Sequence, residues 1–66
     1  MKIIVNGERL ETRAKTLEDL CALLGFSGEM KVATALNGDF VPAPARARTM
    51  IADNDAIEIV APRQGG

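Results

Sequence analysis

The chain has 66 residues, of which 47% are hydrophobic and 26% are charged, and its formal net charge is -1. This composition is typical of one small globular domain and excludes intrinsic disorder, which requires lower hydrophobicity and a larger net charge. The eight Lys and Arg residues form no basic stripe and the chain has only two aromatic residues, so nucleic-acid binding has no electrostatic footprint.

The residue inventory also limits the chemistry that the chain can perform. It contains no His and one Cys, which excludes an internal disulfide and leaves almost no parts for a catalytic triad. A metal site would consist of carboxylates alone, and we predict neither a metal nor a bound cofactor. If the protein takes part in catalysis, we expect it to act as a substrate or carrier and not as an enzyme. No apolar run reaches the length of a signal peptide or a membrane span, so we expect no membrane contact and a cytoplasmic location.

The first elements in the chain are predicted to form a β-hairpin. Residues 1–5 are mostly β-branched and apolar, and Asn6-Gly7 follows them directly. Asn-Gly is the strongest short hairpin signal because a type I′ turn needs positive φ at both central residues. Residues 8–12 alternate polar and apolar side chains, which predicts a half-exposed second strand with Leu10 facing inward.

A short amphipathic helix is predicted to follow. Thr16 is the expected N-cap, with Asp19 completing a capping box, and Gly25 is expected at the C′ position, with Phe26 folding back onto the helix. Apolar residues recur at helical spacing on one face: Leu17, Leu20, Cys21 and Leu24. No cationic neighbour is evident for Cys21, so we interpret it as a small buried hydrophobe and not as a reactive thiol.

Two further strands are predicted after a polar loop at residues 27–29. In residues 31–36 the side chains at 32, 34 and 36 share one face, whereas Ala33 and Ala35 share the other. Asn37-Gly38-Asp39 signals a turn, and residues 40–41 form a brief fourth strand that ends at Pro42.

The segment that precedes the last strand is predicted to be irregular. Residues 43–48 are expected to form a 3₁₀ or irregular connection with Arg46 and Arg48 in solvent, where they could also form a small basic contact patch. Met50 and Ile51 are expected in the core. Residues 53–55, Asp-Asn-Asp, are interpreted as a turn, because the glycine and glutamate that a calcium loop requires are missing.

The last strand is predicted at residues 56–61, with Ile57 and Ile59 on one face, and Pro62 ends it. The remaining residues are Arg63, Gln64, Gly65 and Gly66. Glycine has no Cβ and allows close backbone approach, so two terminal glycines suit passage through a narrow channel in a partner. There the carboxylate of Gly66 could attack the α-phosphate of ATP and form an acyl-adenylate. The simpler alternative is a frayed chain end, which is what most termini are.

The order of elements predicts an α+β fold of the ubiquitin-like β-grasp type. We expect a mixed sheet of four or five strands with one main helix on one face, and a later strand parallel to the first. The domain is expected to span residues 1–62, with residues 63–66 as an extended tail. The other face of the sheet should be open, and Ile4, Ala33, Ala35 and Val60 would form a modest docking patch there.

Several stretches of the sequence resemble the thiamine-biosynthesis sulfur carriers, the ThiS family. The similar stretches are residues 3–8 (IIVNGE), 35–42 (ALNGDFVP), 53–60 (DNDAIEIV) and 64–66 (QGG), so the resemblance covers essentially the whole chain. The chain departs from the family after Val41-Pro42, where an Arg is usual and Ala43 stands here. It departs again at Asn54, where Gly is usual and where Asn also tolerates positive φ.

The resemblance implies a two-step activation by partner enzymes. An adenylyltransferase related to ubiquitin-activating enzymes would bind the open face and use ATP to adenylate Gly66. Sulfur from a cysteine desulfurase or another donor would then displace AMP and leave a thiocarboxylate, from which thiazole synthase would take the sulfur. Gly65 would line the partner channel, and Arg63 and Gln64 would either make polar contacts in it or act as a solvated linker.

Three alternatives remain at this point. The chain could carry sulfur for another pathway, such as molybdopterin synthesis, cysteine synthesis or tRNA thiolation. It could be a ubiquitin-like modifier that forms isopeptide bonds, or a binding module of the same fold with an inert tail.

Overall fold

The computed structural model describes residues 1–26 and 31–61 of the chain. Within these ranges the elements are β1 (Lys2–Val5), β2 (Glu8–Glu11), helix α1 (Leu17–Leu23), β3 (Ala33–Leu36), β4 (Asp39–Val41), a 3₁₀ helix (Ala43–Arg48) and β5 (Ala56–Val60). The five strands form one mixed sheet and α1 is its main helix. The predicted α+β fold is therefore confirmed. The predicted loop at residues 27–29 and the predicted tail at residues 63–66 lie outside the described residues.

The strands lie in the order β2-β1-β5-β3-β4, so the last strand of the chain occupies the centre of the sheet. β5 pairs in parallel with β1, with Val5 opposite Ile57, and pairs antiparallel with β3, with Thr34 opposite Ile59. Parallel neighbours need a long crossover connection, which α1 and the β3–β4 hairpin supply here. The prediction that a later strand lies parallel to the first is confirmed, and the structure shows that this strand is β5.

Both hairpins of the sheet turn on an Asn-Gly pair. Asn6 and Gly7 have φ of 51° and 84°, and Asn37 and Gly38 have φ of 50° and 89°. Positive φ at both central residues is the type I′ geometry, whose twist matches that of the paired strands. The dipeptides therefore set the registers in which Val5 lies opposite Glu8 in one hairpin and Leu36 opposite Asp39 in the other.

Both ends of helix α1 are closed by the predicted caps. The Thr16 hydroxyl oxygen accepts a hydrogen bond from the Asp19 backbone N–H at 3.1 Å, and the Asp19 carboxylate accepts one from the Thr16 N–H at 3.4 Å. At the other end, Gly25 has φ of 91°, its N–H bonds the Ala22 carbonyl, and the Phe26 N–H bonds the Cys21 carbonyl. This is the Schellman arrangement, and it explains how a helix of only 7 residues begins and ends where it does.

The core lies between α1 and one face of the sheet. The buried apolar residues are Ile3, Ala14, Leu17, Leu20, Cys21, Val41, Ile51, Ile57 and Ile59. The predicted faces of β3 are also confirmed: Thr34 is buried and Val32 and Leu36 pack against the core, whereas Ala33 is exposed.

Two predictions about burial are wrong. Met50 was expected in the core, but 65% of it is exposed. In an extended segment adjacent side chains point in opposite directions, so the burial of Ile51 turns Met50 outward. The apolar stripe of α1 also ends before Leu24, which is the C-cap of the helix and is exposed.

Arg46 was expected in solvent, and this prediction is also wrong. Its Nε donates a hydrogen bond to the Thr34 hydroxyl at 3.0 Å, and its Nη2 donates to the Val32 carbonyl. The 3₁₀ helix thus turns the half-buried guanidinium back over β3, where it supplies donors to oxygens that would otherwise have fewer partners. Arg48, in contrast, is exposed as predicted.

Candidate functional site

The uncovered face of the sheet carries a group of exposed apolar side chains. Because strand residues alternate between faces, the burial of Ile57 and Ile59 places Glu58 and Val60 on the opposite side of β5. The register then adds Ala33 opposite Val60 and Ala35 opposite Glu58. These positions confirm that Ala33, Ala35 and Val60 share the open face.

Phe40 is the largest side chain on this face. It lies opposite Ala35 in the β3–β4 pair, and 69% of it is exposed. We call Ala33, Ala35, Phe40 and Val60 the open-face patch. Sequence reasoning did not include Phe40, although the signal was present: Val41 is its neighbour, and burying one of two adjacent strand residues exposes the other. A small domain that leaves a Phe and a Val uncovered on one face has a surface suited to a partner.

Ile4 lies on the same face but apart from the open-face patch. It is half-buried and pairs with Ala56 across the parallel ladder, whereas the patch is built from residues of β5, β3 and β4. Glu58 is exposed on β5 opposite Ala35, and the register places Arg9 opposite Ile4, so the open face combines apolar groups with charged ones. The predicted docking residues therefore share one face, with Val60 on β5, Ile4 on the β1 side of that strand, and Ala33 and Ala35 on the β3 side.

The strand that precedes the predicted tail also contributes to the open-face patch. Val60 is the last residue of β5, 61% of it is exposed, and Ala61 is the last residue that the structure describes. The predicted site residues Arg63, Gln64, Gly65 and Gly66 lie outside the described residues. A chain advances at most about 3.3–3.6 Å per residue, so the five residues after Ala61 reach roughly 17 Å. Any partner that takes up Gly66 must therefore contact the domain close to the end of β5.

Comparison with known proteins identifies the family of this chain. The model of the ThiS family matches residues 3–66. The chain belongs to the ThiS family, which consists of ubiquitin-like sulfur carriers. The resemblance inferred from the sequence is thereby confirmed. Comparison with curated protein sequences gives no match.

Two solved structures share the fold of this ThiS-family chain. One is a crystal structure of a thiamine biosynthesis protein (ThiS) from Geobacter metallireducens, with 29% identity, a TM-score of 0.79 and full coverage of both chains. The other is an NMR solution structure of a thiamine biosynthesis protein from the same organism. It has 26% identity and a TM-score of 0.81, and the match covers 100% of this chain and 88% of that one.

The single cysteine of this ThiS-family chain is a core residue. Only 3% of Cys21 is exposed, and burial raises the pKa of its thiol, while the Arg46 guanidinium acts in the opposite direction and Glu18 adds to the increase. A thiol held neutral inside the core is a poor nucleophile. The interpretation of Cys21 as a buried hydrophobe is confirmed, whereas the expectation that it has no cationic neighbour is wrong, because Arg46 acts on it.

The acidic turn before β5 serves the structure through its carboxylates. Asp53 Oδ1 accepts a hydrogen bond from the Lys2 N–H at 2.8 Å, and Asp55 Oδ2 accepts one from the Ala52 N–H at 2.7 Å. Asn54, between them, has φ of 71°, as expected where the family usually has Gly. In residues 1–26 and 31–61, no three metal-ligating side chains come together. The interpretation of this segment as a turn is confirmed.

Helix α1 has 7 residues and the 3₁₀ helix has 6. Neither helical segment in the described part of the chain is both long enough and apolar enough to cross a bilayer.

Proposed function

We propose that this chain is the sulfur carrier for thiazole formation in thiamine biosynthesis, with the Gly66 carboxylate as the reacting group. The observation that carries the proposal is the extent of the family match, which continues through the terminal Gly65-Gly66 pair. The description of both solved relatives as thiamine biosynthesis proteins supports the choice of pathway. The chain would serve as a protein co-substrate, and its cytoplasmic location and its lack of a bound cofactor stay predictions.

The first step uses ATP that is bound by the partner adenylyltransferase. A Gly66 carboxylate oxygen attacks the α-phosphate, a P–O bond forms, and pyrophosphate leaves. The product is a mixed anhydride whose carbonyl carbon is far more electrophilic than that of the free carboxylate. Because the terminal residue is glycine, no side chain obstructs the approach of the carboxylate to the phosphate.

The second step exchanges oxygen for sulfur. A hydrosulfide ion attacks the carbonyl carbon, AMP leaves with the bridging oxygen, and a thiocarboxylate remains at Gly66. If a cysteine desulfurase presents the sulfur as a persulfide, the first product is an acyl disulfide, and a thiol must then reduce its S–S bond to release the thiocarboxylate. This soft, ionised nucleophile is the species that thiazole synthase would consume.

The exposure of the open-face patch supports separate roles for the domain, which would bind the partner, and the tail, which would carry the reacting group. Val60 supplies exposed apolar area on β5, the strand that precedes the tail, and Phe40 supplies it on the neighbouring β3–β4 hairpin. We expect the adenylyltransferase to cover this patch while residues 63–66 extend into its nucleotide site. In this arrangement Gly65 would occupy the narrow part of the channel, and Arg63 and Gln64 would contact its mouth.

The tail chemistry is tested by exchange of labelled pyrophosphate into ATP, which reports adenylate formation. Deleting Gly66 should abolish exchange, and Gly65→Leu should reduce it strongly because the side chain blocks the channel. Gln64→Ala removes only a contact at the channel mouth and should raise KM without abolishing exchange. An unchanged Tm in each of the three variants would show that the tail substitutions do not act through the fold. Retained exchange without Gly66 would contradict the proposal.

The pathway is tested by reconstitution with alternative acceptors. We expect the thiocarboxylate form to support thiazole formation by thiazole synthase and to be inert with molybdopterin-, cysteine- and tRNA-thiolating systems. Sulfur delivery to one of those systems instead would show that the chain is a carrier for a different pathway. A ladder of conjugates on a denaturing gel would show that it is a protein modifier.

A further inference from the structure

The two Asn-Gly turns hold opposite ends of β5 through their asparagine side chains. Asn6 and Asn37 have nearly the same backbone conformation, with φ of 51° and 50°. Asn6 lies beside the end of β5 that leads to the tail, and Asn37 lies beside the end where β5 begins. The chain therefore contains two asparagine side chains that bond the β5 backbone in a similar way, and only Asn6 lies at the end of β5 next to the tail.

The Asn6 side chain makes the hydrogen bonds to β5 that the backbone of a further β1 residue would make. The parallel ladder ends where the Asn6 N–H donates to the Ile57 carbonyl at 2.9 Å, and the chain then turns away into the hairpin. The Asn6 side chain continues the ladder: its Nδ2 donates to the Ile59 carbonyl at 3.1 Å, and its Oδ1 accepts from the Ile59 N–H at 2.9 Å. Ile59 is buried, so its backbone groups would otherwise lack partners on this side of β5.

Asn37 makes the corresponding contacts at the start of β5. Its Oδ1 accepts a hydrogen bond from the Ala56 N–H at 2.9 Å, and its Nδ2 donates to Asp55 Oδ1 at 3.0 Å. These bonds tie the β3–β4 turn to the acidic turn that precedes β5. They lie at the far end of the strand from Val60 and Ala61, so their loss would not release the strand end that leads to the tail.

We propose that Asn6 is a positioning residue for the tail, which it directs by fixing the backbone of Ile59. This inference rests on the proposed function. Since residues 62–66 reach only roughly 17 Å, the place and direction in which β5 ends decide whether Gly66 meets the α-phosphate while the open-face patch is docked. An error of about 1 Å at reacting atoms can lower a rate by about 100-fold.

The test compares Asn6→Gly with Asn37→Gly in adenylation kinetics. Glycine adopts positive φ without strain, so each substitution keeps its turn and removes only the amide contacts. With the carrier as the varied substrate, we expect Asn6→Gly to lower kcat about tenfold and leave KM within about twofold. Asn37→Gly should lower Tm by about as much as Asn6→Gly does, but leave kcat within about twofold of the wild-type value.

Hydrogen exchange locates the structural effect of each substitution. Asn6→Gly should accelerate exchange of the Ile59 amide, whereas Asn37→Gly should accelerate that of Ala56. Asn6→Asp is a second variant, used where Asn6→Gly unfolds: it keeps an acceptor for the Ile59 N–H and loses the donor to the Ile59 carbonyl. We expect its kcat to lie below that of the wild type, because the carboxylate oxygen that replaces Nδ2 repels the Ile59 carbonyl.

Two outcomes would overturn the inference. One is a wild-type kcat in Asn6→Gly and Asn6→Asp despite faster exchange at Ile59. The other is an equal loss of kcat in Asn6→Gly and Asn37→Gly, which would mean that general loosening of β5 is responsible. Failure of the proposed function would look different, because the wild-type chain itself would then form no adenylate.

Discussion

The two faces of the sheet come from the same five strands but differ in how far their apolar side chains are buried. On the covered face, Ile3, Ile57 and Ile59 pack against Leu17 and Leu20 of the helix and are 5% exposed or less. On the open face, Phe40 and Val60 keep more than half of their surface exposed. A domain of this size can bury only about 60% of the surface of its unfolded chain, so leaving apolar area uncovered is costly.

This difference separates stability from recognition. Residues of the covered face hold the domain together, and their loss should change the free energy of unfolding without changing how a folded molecule meets its partner. Residues of the open-face patch bury little within the chain, and their loss should change partner affinity with little effect on folding. Substitutions on the two faces should therefore have separable effects on stability and on partner affinity.

Leu20→Ala should have the largest effect on stability. Leu20 is fully buried between α1 and the sheet, and truncating such a residue costs about 2–5 kcal/mol. Leu23→Ala is the matched control in the same helix, since Leu23 is 52% exposed, and should cost less than about 1 kcal/mol. Urea unfolding measures both. Equal losses in the two variants would contradict the assignment of the covered face.

Arg46→Met should show how much the hydrogen bonds of Arg46 contribute to the free energy of unfolding. The substitution keeps an apolar stem but removes the donors to the Thr34 hydroxyl and the Val32 carbonyl, which we expect to cost about 1–2 kcal/mol. Arg48→Met, in the same 3₁₀ helix, removes an exposed arginine and should change the free energy of unfolding by less than about 0.5 kcal/mol. If the adenylation KM rises in Arg46→Met with stability unchanged, Arg46 is a partner contact instead.

Phe40→Ala should show the opposite behaviour. We expect the free energy of unfolding to change by less than about 0.5 kcal/mol, while the adenylation KM for the carrier rises about tenfold because an aromatic anchor is lost. Met50→Ala is the control, because Met50 is similarly exposed at 65% but lies outside the sheet strands. An unchanged KM in Phe40→Ala would mean that the partner does not bind the open-face patch.

Cys21→Ala should have the smallest effect, and that effect depends on pH. The folded state raises the thiol pKa, so above about pH 8.5 the unfolded chain loses its proton first and wild-type stability falls. Below that pH the thiol is neutral in both states, and its contribution to the free energy of unfolding is fully present. Cys21→Ala should cost about 1 kcal/mol at pH 7 and show a weaker alkaline decline, with sulfur transfer retained. Loss of transfer in a folded variant would mean that the thiol takes part in the chemistry.

The sequence predicted best those features that neighbouring residues determine. The positive φ of Asn6-Gly7 and the capping box at Thr16 depend on residues no more than three positions apart, and both are confirmed. Alternation within β3 correctly separated Thr34 from Ala33. In these cases local backbone geometry alone selects the structure.

Two of the features that sequence reasoning missed depend on distant contacts. Arg46 bonds residues 12 and 14 positions away, and the Asn6 side chain bonds Ile59, 53 positions away. No local pattern specifies such partners, because they are known only once the strand order is known. The open face was predictable from alternation, which also indicates the exposure of Phe40 beside Val41. The position of Phe40 opposite Ala35, in contrast, required the register of β3 and β4.

The central claim is that Gly66 carries sulfur, and intact mass spectrometry tests it most directly. The purified chain is measured before and after incubation with the adenylyltransferase, ATP and a sulfur source, with another carrier as proof that the enzyme is active. We predict a mass gain equal to one oxygen exchanged for sulfur, which fragmentation places at the Gly66 end. No gain, with the control carrier converted, would contradict it.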